Sequence, residues 1–377
     1  MGGVIGVVAK HGGMTAGAFS AEECRGRCER LMAALRRKGL DGALVRSPTA
    51  RLYYSGFAAS NGILSVDVRS GPTLLTDFRY LIAARRALTW MPCDDCGRGN
   101  EAKRILRRLT RSWRRAGYEG SLAVAAHTAQ QQTLSQIAEW ADVDSLITGQ
   151  RAIKSSAEQA ALRRVIRAND RLFERVLRGA RPGQSERDIR NAVRREADTL
   201  GDGEAFDAVV CVGANGAECH HVPGDDPWLP GQPLLLDAGL KLGGYCSDLT
   251  RTVCCGRPSA RFREIHALVS RANRTAIRRL RPGMTGAEVD ALARDVIDRA
   301  GHGAAFGHSL GHGLGLEVHE APAFAASCKT VIRPGMVLTV EPGVYLPGEL
   351  GVRIEDVVLI TPTGCEVLSK QISEQSY

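Results

Sequence analysis

The chain has 377 residues, 44% of them hydrophobic and 24% charged, with a formal net charge of +9, the composition of an ordinary globular protein long enough for two domains. No apolar run approaches the roughly 18 residues that span a bilayer, which excludes a helical membrane protein. Eleven cysteines, an odd number in a chain too long to need staples, point to free thiols in a reducing, cytoplasmic compartment.

Residues 1–20 carry a short apolar stretch with no basic segment before it and no cleavage site, and read as a flexible tail rather than a secretory signal. Ser20 and Glu23 make a capping-box pattern, so a helix runs from Ala21 to about Lys38, stopped by Gly39 and Gly42. Strand-like runs follow at 43–46, 62–68 and 72–76, then helical patterns at 78–90 and 101–116, a strand near 121–126 and a helix near 129–140. This alternation predicts a first α/β domain over 21–150. Up to residue 150 there are 21 Lys and Arg against 13 Asp and Glu, so nearly all the net charge lies here. On a helix at 101–116, Arg104, Arg107, Arg108, Arg111 and Arg115 share one face, with Ile105, Leu106, Leu109 and Trp113 on the other. No aromatic residue interleaves with the basic ones, so the face reads as solvated and not as a nucleic-acid contact. Cys93 and Cys96 are the only CxxC pair. A structural zinc site wants a second pair, so these read as ordinary loop thiols.

The segment from Gly149 to Ser156 is the expected junction, and a second domain over 151–377 opens with a long helix at about 156–179. Arg181-Pro182-Gly183 is followed by Ser185 and Asp188, and Arg281-Pro282-Gly283 by Thr285 and Glu288. Each is a helix stop, a turn and a new N-cap. Phe206 and Phe306 leave the two following helices at the same offset of 100 residues. This predicts a duplicated helix–turn–helix–strand unit and a pseudo-symmetric domain with a cleft between its halves.

The chemistry lies in this second domain. Leu234–Leu236 run into Asp237, and Asp248 follows past Gly243 and Gly244. A hairpin turning at Leu242–Gly243 makes Asp237 and Asp248 cross-strand partners, roughly 5 Å apart at Cβ. Glu341 and Glu355 repeat the pattern around Pro347-Gly348. Bare carboxylates that close repel each other, and a bound cation removes the repulsion. His308, His312 and His319 crowd a glycine-rich stretch that is not helical, with His220 and His221 elsewhere. Four carboxylates and one imidazole suit two hard or borderline ions, Mn²⁺, Co²⁺, Fe²⁺ or Zn²⁺, which activate a water and polarise a carbonyl or phosphoryl oxygen. Spacing alone says dinuclear hydrolase and does not name the bond.

The stretches LLLDAGLKLGGYCSDLTRTV, HSLGHGLGLEVHEAP, TVEPGVY and GVRIEDVVLI resemble the pita-bread metallopeptidases, a family that includes aminopeptidase P, prolidase, methionine aminopeptidase and creatinase. The resemblance implies two divalent ions, with manganese expected, held by Asp237, Asp248, His312, Glu341 and Glu355. It implies His220, His319 and Glu341 as catalytic residues, and His308, Tyr345 and Arg353 as substrate-binding ones. Gly42–Val45, Tyr54–Phe57 and Leu75–Tyr80 resemble the creatinase-like amino-terminal domain, which methionine aminopeptidase lacks; creatinase lacks the full ligand set. The stretches GFAASNG and LLTDFRY are closer to aminopeptidase P, so the expectation is a homodimeric or larger Xaa-Pro aminopeptidase acting on proline-containing peptides. The alternatives are an Xaa-Pro dipeptidase and a dinuclear hydrolase or lyase of a small non-peptide substrate; a non-catalytic interaction protein is the rival from another class. Cys219 stands where many relatives have proline, and with Cys246 it reads as a small buried apolar residue rather than a metal ligand.

Overall fold

The computed structural model describes residues 18–370. The expected tail therefore lies outside the described residues, apart from its last three positions. Contacts divide the chain into Met1–Arg151 and Ala152–Tyr377. No helix among the described residues is long and apolar enough to cross a membrane.

The first unit opens with α1 (Ala21–Arg37), whose N-cap Ser20 accepts from the Glu23 amide at 3.2 Å. There follow β1 (Gly42–Val45), α2 (Pro48–Ser55), β2 (Ile63–Asp67), β3 (Gly71–Thr76), α3 (Phe78–Ala87), β4 (Cys93–Asp95), α4 (Asn100–Leu109), β5 (Arg115–Tyr118), α5 (Val124–Thr133), β6 (Glu139–Asp142) and α6 (Asp144–Ala152). The strands form one mixed sheet in the order β4-β3-β2-β1-β5-β6. Trp113, Leu44, Leu75, Leu106, Leu134 and Ile137 are at its core.

Three expected elements fail in this unit. The helix at 101–116 stops at Leu109, because Trp113 turns into the core to reach Asp67 at 2.6 Å. Arg115 then belongs to a strand parallel to β1, so Arg111 and Arg115 leave the basic helix face. The strand near 121–126 is instead the start of α5, and the helix near 129–140 ends at Thr133, since residues 139–142 are drawn into the sheet beside β5. The expected junction at 149–156 contains the division between the two units, and the chain there is helical through Ala152. Among the elements not anticipated, α2 carries a local signal: Ser47 caps it and Pro48 opens it. Cys93 and Cys96 sit half-buried at β4.

The second unit runs through α7 (Ser156–Gly179), α8 (Glu186–Leu200), β7 (Val209–Val212), β8 (Pro233–Asp237), β9 (Lys241–Leu242), β10 (Tyr245–Cys246), β11 (Thr250–Cys254), α9 (Ala260–Arg279), α10 (Gly286–Arg299), β12 (Gly311–Gly313), β13 (Glu320–Phe324), β14 (Val337–Val340), β15 (Gly343–Leu346), β16 (Leu350–Arg353), β17 (Asp356–Ile360) and β18 (Cys365–Val367). The halves repeat. Full capping boxes form at Ser185/Asp188 and at Thr285/Glu288. The Gly183 amide bonds the Trp228 carbonyl at 2.8 Å, and the Gly283 amide bonds that of Ile332 at 2.9 Å. The buried amides of Asn169 and Asn273 donate to the carbonyls of Ala238 and Val340 at 3.0 and 2.9 Å. The sheet β7-β8-β11 corresponds in order and direction to β12-β14-β17. Each helix pair lays its apolar face on its own half-sheet, which leaves the facing strand ends free to carry polar groups.

Candidate active site

β8 and β11 form a hairpin in which Asp237 lies opposite Thr250. The inner ribbon keeps the same register, with Tyr245 opposite Leu242. The turn is Gly243-Gly244, at φ 59° and 86°, which suits a two-residue turn needing positive φ at both central positions. The turn is thus one residue later than expected, and the partner of Asp237 moves by two, from Asp248 to Thr250. A shift of two keeps the same face, so Asp248 becomes the diagonal neighbour of Asp237 and not its opposite.

In the second hairpin, Val340 pairs with Asp356 and Gly343 with Arg353. That register sets Glu341 opposite Glu355, in a gap between two ladders. The backbone amides there point elsewhere: Glu341 N–H donates to the Leu310 carbonyl at 2.8 Å, and Glu355 N–H to that of Thr250 at 3.1 Å. These bonds stitch both hairpins and the lead into β12 around one point. Carboxylate oxygens of Asp237, Asp248 and Glu355 converge within 4.8 Å of one another. Nε2 of His312, on β12, lies 3.1 Å from Glu341 and 3.6 Å from Asp248. All five residues line one cavity of about 470 Å³, together with His220, His308, His319, Arg353 and Cys219.

Packing this much negative charge is costly. Burial, then the neighbouring Glu355, Asp237 and Glu341, push the Asp248 carboxyl far above its usual range. Burial, then Glu341 and Asp237, do the same to Glu355. Burial raises Asp237 as well, although Arg353 opposes it. Burial works against ionised Glu341 too, but the hydrogen bond and charge of His312 hold it below its ordinary value. Two buried oxygens, Asp237 Oδ1 and Glu355 Oε1, have no hydrogen-bond partner. Unpaired carboxylate oxygens turned toward one another in a cluster of like charges fit a cation site. His312 fits too: its Nδ1 lies 3.2 Å from the Gly313 carbonyl, to which it donates, so Nε2 is aimed at the carboxylates.

The remaining residues divide. Neither His220 nor His319 has a hydrogen-bond partner among the described residues, so their ring nitrogens are open to a ligand; His319 packs edge-on to His312, with centroids 4.3 Å apart. His308 has both nitrogens engaged, at 2.8 Å to the Ser309 carbonyl and 2.8 Å to the Tyr345 hydroxyl. It therefore offers a ring face and no free donor. Tyr345, expected beside substrate, is buried behind His308 and does not reach the cavity wall. Arg353 is in the wall, but its donors go to Thr250 at 3.0 Å, Tyr345 at 2.8 Å and Asp237 at 2.5 Å. It acts as counter-ion to the cluster. Cys246 is buried, with Sγ 3.5 Å from the Leu316 carbonyl, and burial pushes its thiol up to about 12, which leaves no thiolate for a metal.

Two residues escaped the sequence reading. The Thr250 hydroxyl donates to Glu355 at 2.9 Å, and the Thr339 hydroxyl donates to Glu341 at 3.1 Å while accepting from the His312 amide at 3.0 Å. Strand periodicity could have found them. Thr250 is two residues after Asp248, Thr339 two before Glu341 and Arg353 two before Glu355, so each shares a face with a carboxylate.

Comparison with known proteins agrees with this picture. Residues 160–362 match the model of metallopeptidase family M24, and residues 27–153 that of the creatinase/prolidase N-terminal domain. A structure of an Xaa-Pro dipeptidase from Bacillus anthracis is 34% identical, covers 94% of this chain and 99% of its own, and superposes with a TM-score of 0.88. The Xaa-Pro dipeptidase of Pyrococcus furiosus is 31% identical over 91% of this chain and 97% of its own length. The structure of an X-Pro aminopeptidase from Thermotoga maritima is 29% identical, covers 92% and 98%, and has a TM-score of 0.84. The chain belongs to metallopeptidase family M24 and carries that family's pita-bread fold behind a creatinase-type amino-terminal domain.

Proposed function

We propose that the chain is an Xaa-Pro dipeptidase that binds two divalent cations through Asp237, Asp248, His312, Glu341 and Glu355. This takes up the dipeptidase alternative in place of the expected aminopeptidase P, since the Xaa-Pro dipeptidases are the more similar, at 34% and 31% identity against 29% for the X-Pro aminopeptidase. The observation that carries the reading is the convergence of four carboxylates and His312 on one cavity whose wall also holds three further histidines. Bound cations would supply a polarised scissile carbonyl and a more acidic water. Glu341 accepts a proton from the attacking water. His220 and His319 donate to the oxygen that gains charge as the carbonyl becomes tetrahedral. His308, held by Tyr345 and Ser309, walls the site with its ring face against the proline. Arg353 holds Asp237 and Tyr345 in place. Manganese is the proposed physiological ion, with cobalt, zinc and iron as competitors.

The test is hydrolysis of Xaa-Pro dipeptides, Xaa-Pro-Yaa tripeptides and longer peptides by metal-stripped protein reloaded with Mn²⁺, Co²⁺ or Zn²⁺. Cleavage confined to dipeptides is expected. Equal cleavage of tripeptides would restore the aminopeptidase reading, and cleavage indifferent to proline would remove the chain from the proline-specific branch.

A further inference from the structure

His319 owes its position to a loop that has little regular structure of its own. Residues 314–319 connect β12 to β13 and place Val318 and His319 in the cavity wall. The next residue, Glu320, is not part of the cavity wall, and its side chain is buried. Its Oε1 accepts the Leu316 amide at 2.8 Å and the Glu317 amide at 3.3 Å, so one carboxylate closes the loop on itself. A Cβ at Gly315 would lie 2.5 Å from the Glu320 carboxylate, which shows how closely the loop wraps it. The other oxygen, Oε2, is 3.3 Å from Nζ of Lys154; the two side chains are only 2% and 5% exposed.

Lys154 comes from the far end of the unit, 166 residues earlier in sequence. It is fixed there in turn: its amide donates to the Gly335 carbonyl at 2.9 Å and its carbonyl accepts from the Gln159 side chain at 3.0 Å. The second side of the loop is held by β10, where Cys246 N–H donates to the Gly315 carbonyl at 2.8 Å. A buried ammonium on a fixed stem is a costly way to tie a surface-connected loop, because two charges must leave water before any attraction is counted. Its return is positional: it fixes the carboxylate that fixes the loop.

We infer that Lys154, through Glu320, is a positioning residue for His319, setting the distance at which that imidazole meets the reacting carbonyl. The inference rests on the catalytic role proposed above for His319. A displacement of about 1 Å in such a donor costs on the order of 10²-fold in rate.

The experiment uses full-length, metal-loaded protein and an Xaa-Pro dipeptide, with kcat, KM, metal content and Tm measured for Lys154→Met, Lys154→Arg, His319→Ala and the double variant Lys154→Met/His319→Ala. The expected result is a kcat loss of at least about 10-fold in Lys154→Met, with unchanged metal content and KM, and substantial recovery in Lys154→Arg. Because both changes act on one group, Lys154→Met should cost less than about 2-fold more once His319 is gone. If Lys154→Met does not fold, Lys154→Met/Glu320→Gln removes both charges, keeps an acceptor for the Leu316 amide, and should show the same kcat loss. A lowered Tm with unchanged kcat per folded molecule, or losses that multiply in the double variant, overturns the inference. A lowered kcat in His319→Ala beside an unchanged kcat in Lys154→Met overturns the inference alone. A wild-type kcat in His319→Ala overturns the role of His319 and the inference with it.

Discussion

At the residue scale, the carboxylate cluster makes opposite demands on stability and function. Asp248 is buried among three other carboxylates that raise its pKa. Asp248→Asn removes an anionic ligand, so metal content and activity should both fall, activity by orders of magnitude. In the metal-free state the same change relieves repulsion, so chelated Asp248→Asn should melt higher than chelated wild type; a lower Tm would mean that the cluster is not strained. The pH dependence follows with its sign. Asp237, Asp248 and Glu355 have native pKa values above their unfolded ones. The native state therefore holds more protons, and their contribution to stability is full at low pH and lost as pH rises from about 4 through the raised values. In melting curves taken with and without divalent cation, the gap between the two Tm values should widen with pH. A gap constant from pH 5 to 8 would count against cation binding by these groups. His220→Ala and His319→Ala should keep their metal by elemental analysis and lose roughly 10²-fold in kcat if each donates to developing charge.

At the element scale, the site depends on contacts that leave no room for a side chain. Gly216, in the short turn Gly213–Ala217, presses on Gly351 of β16, and a Cβ on Gly351 would lie within covalent range of the Gly216 backbone. This contact places the segment leading to His220 against the strand that carries Arg353. Gly351→Ala should destabilise by about 1–3 kcal/mol through backbone displacement and lower kcat in the fraction that stays folded, read by chemical denaturation and single-substrate kinetics. The helix caps make a contrasting case. Ser185→Ala and Thr285→Ala each remove one capping box, and neither residue lines the cavity. Each should cost about 1 kcal/mol, additively, and leave kcat unchanged. A kcat effect from either would show that helix ends are coupled to the site.

At the scale of the whole molecule, two repeated half-sheets hold the site in common. Asp237 and Asp248 come from one half, and His312, Glu341 and Glu355 from the other, so cations bound by these ligands would tie the halves together. Binding should then raise global stability by RT ln(1 + [L]/Kd), about 2.7 kcal/mol at 100 times Kd. A calorimetric titration of stripped protein should show about two equivalents bound and a rising Tm. One equivalent, or binding without a Tm change, would contradict the shared site. The basic surface contributes differently. Arg104 and Arg108 on α4 are 80% and 65% exposed and pair loosely with Glu101 and Asp94, as solvated charges do.

Local rules carried the reading of this chain a long way. The duplicated caps were legible because a cap is made by neighbours three residues apart, and the Glu341–Glu355 register because its turn is marked by Pro347-Gly348. The five expected ligand positions rested on the resemblance as much as on spacing. Where the outcome depended on distant partners, the sequence was silent or misleading. Arg115 looked helical until β1 recruited it, since a parallel strand has no local signal for its neighbour. Asp248 was set opposite Asp237 because two adjacent glycines allow the turn at either of two positions, and only the packed sheet chooses. Tyr345 and Arg353 were expected at the substrate from the resemblance, and nothing local announces their pairing with His308 and Asp237. Lys154 and Glu320, 166 residues apart, were not paired at all. Burial and hydrogen-bond partnership are properties of three-dimensional neighbourhoods, and for those residues only the tertiary structure supplies the neighbours.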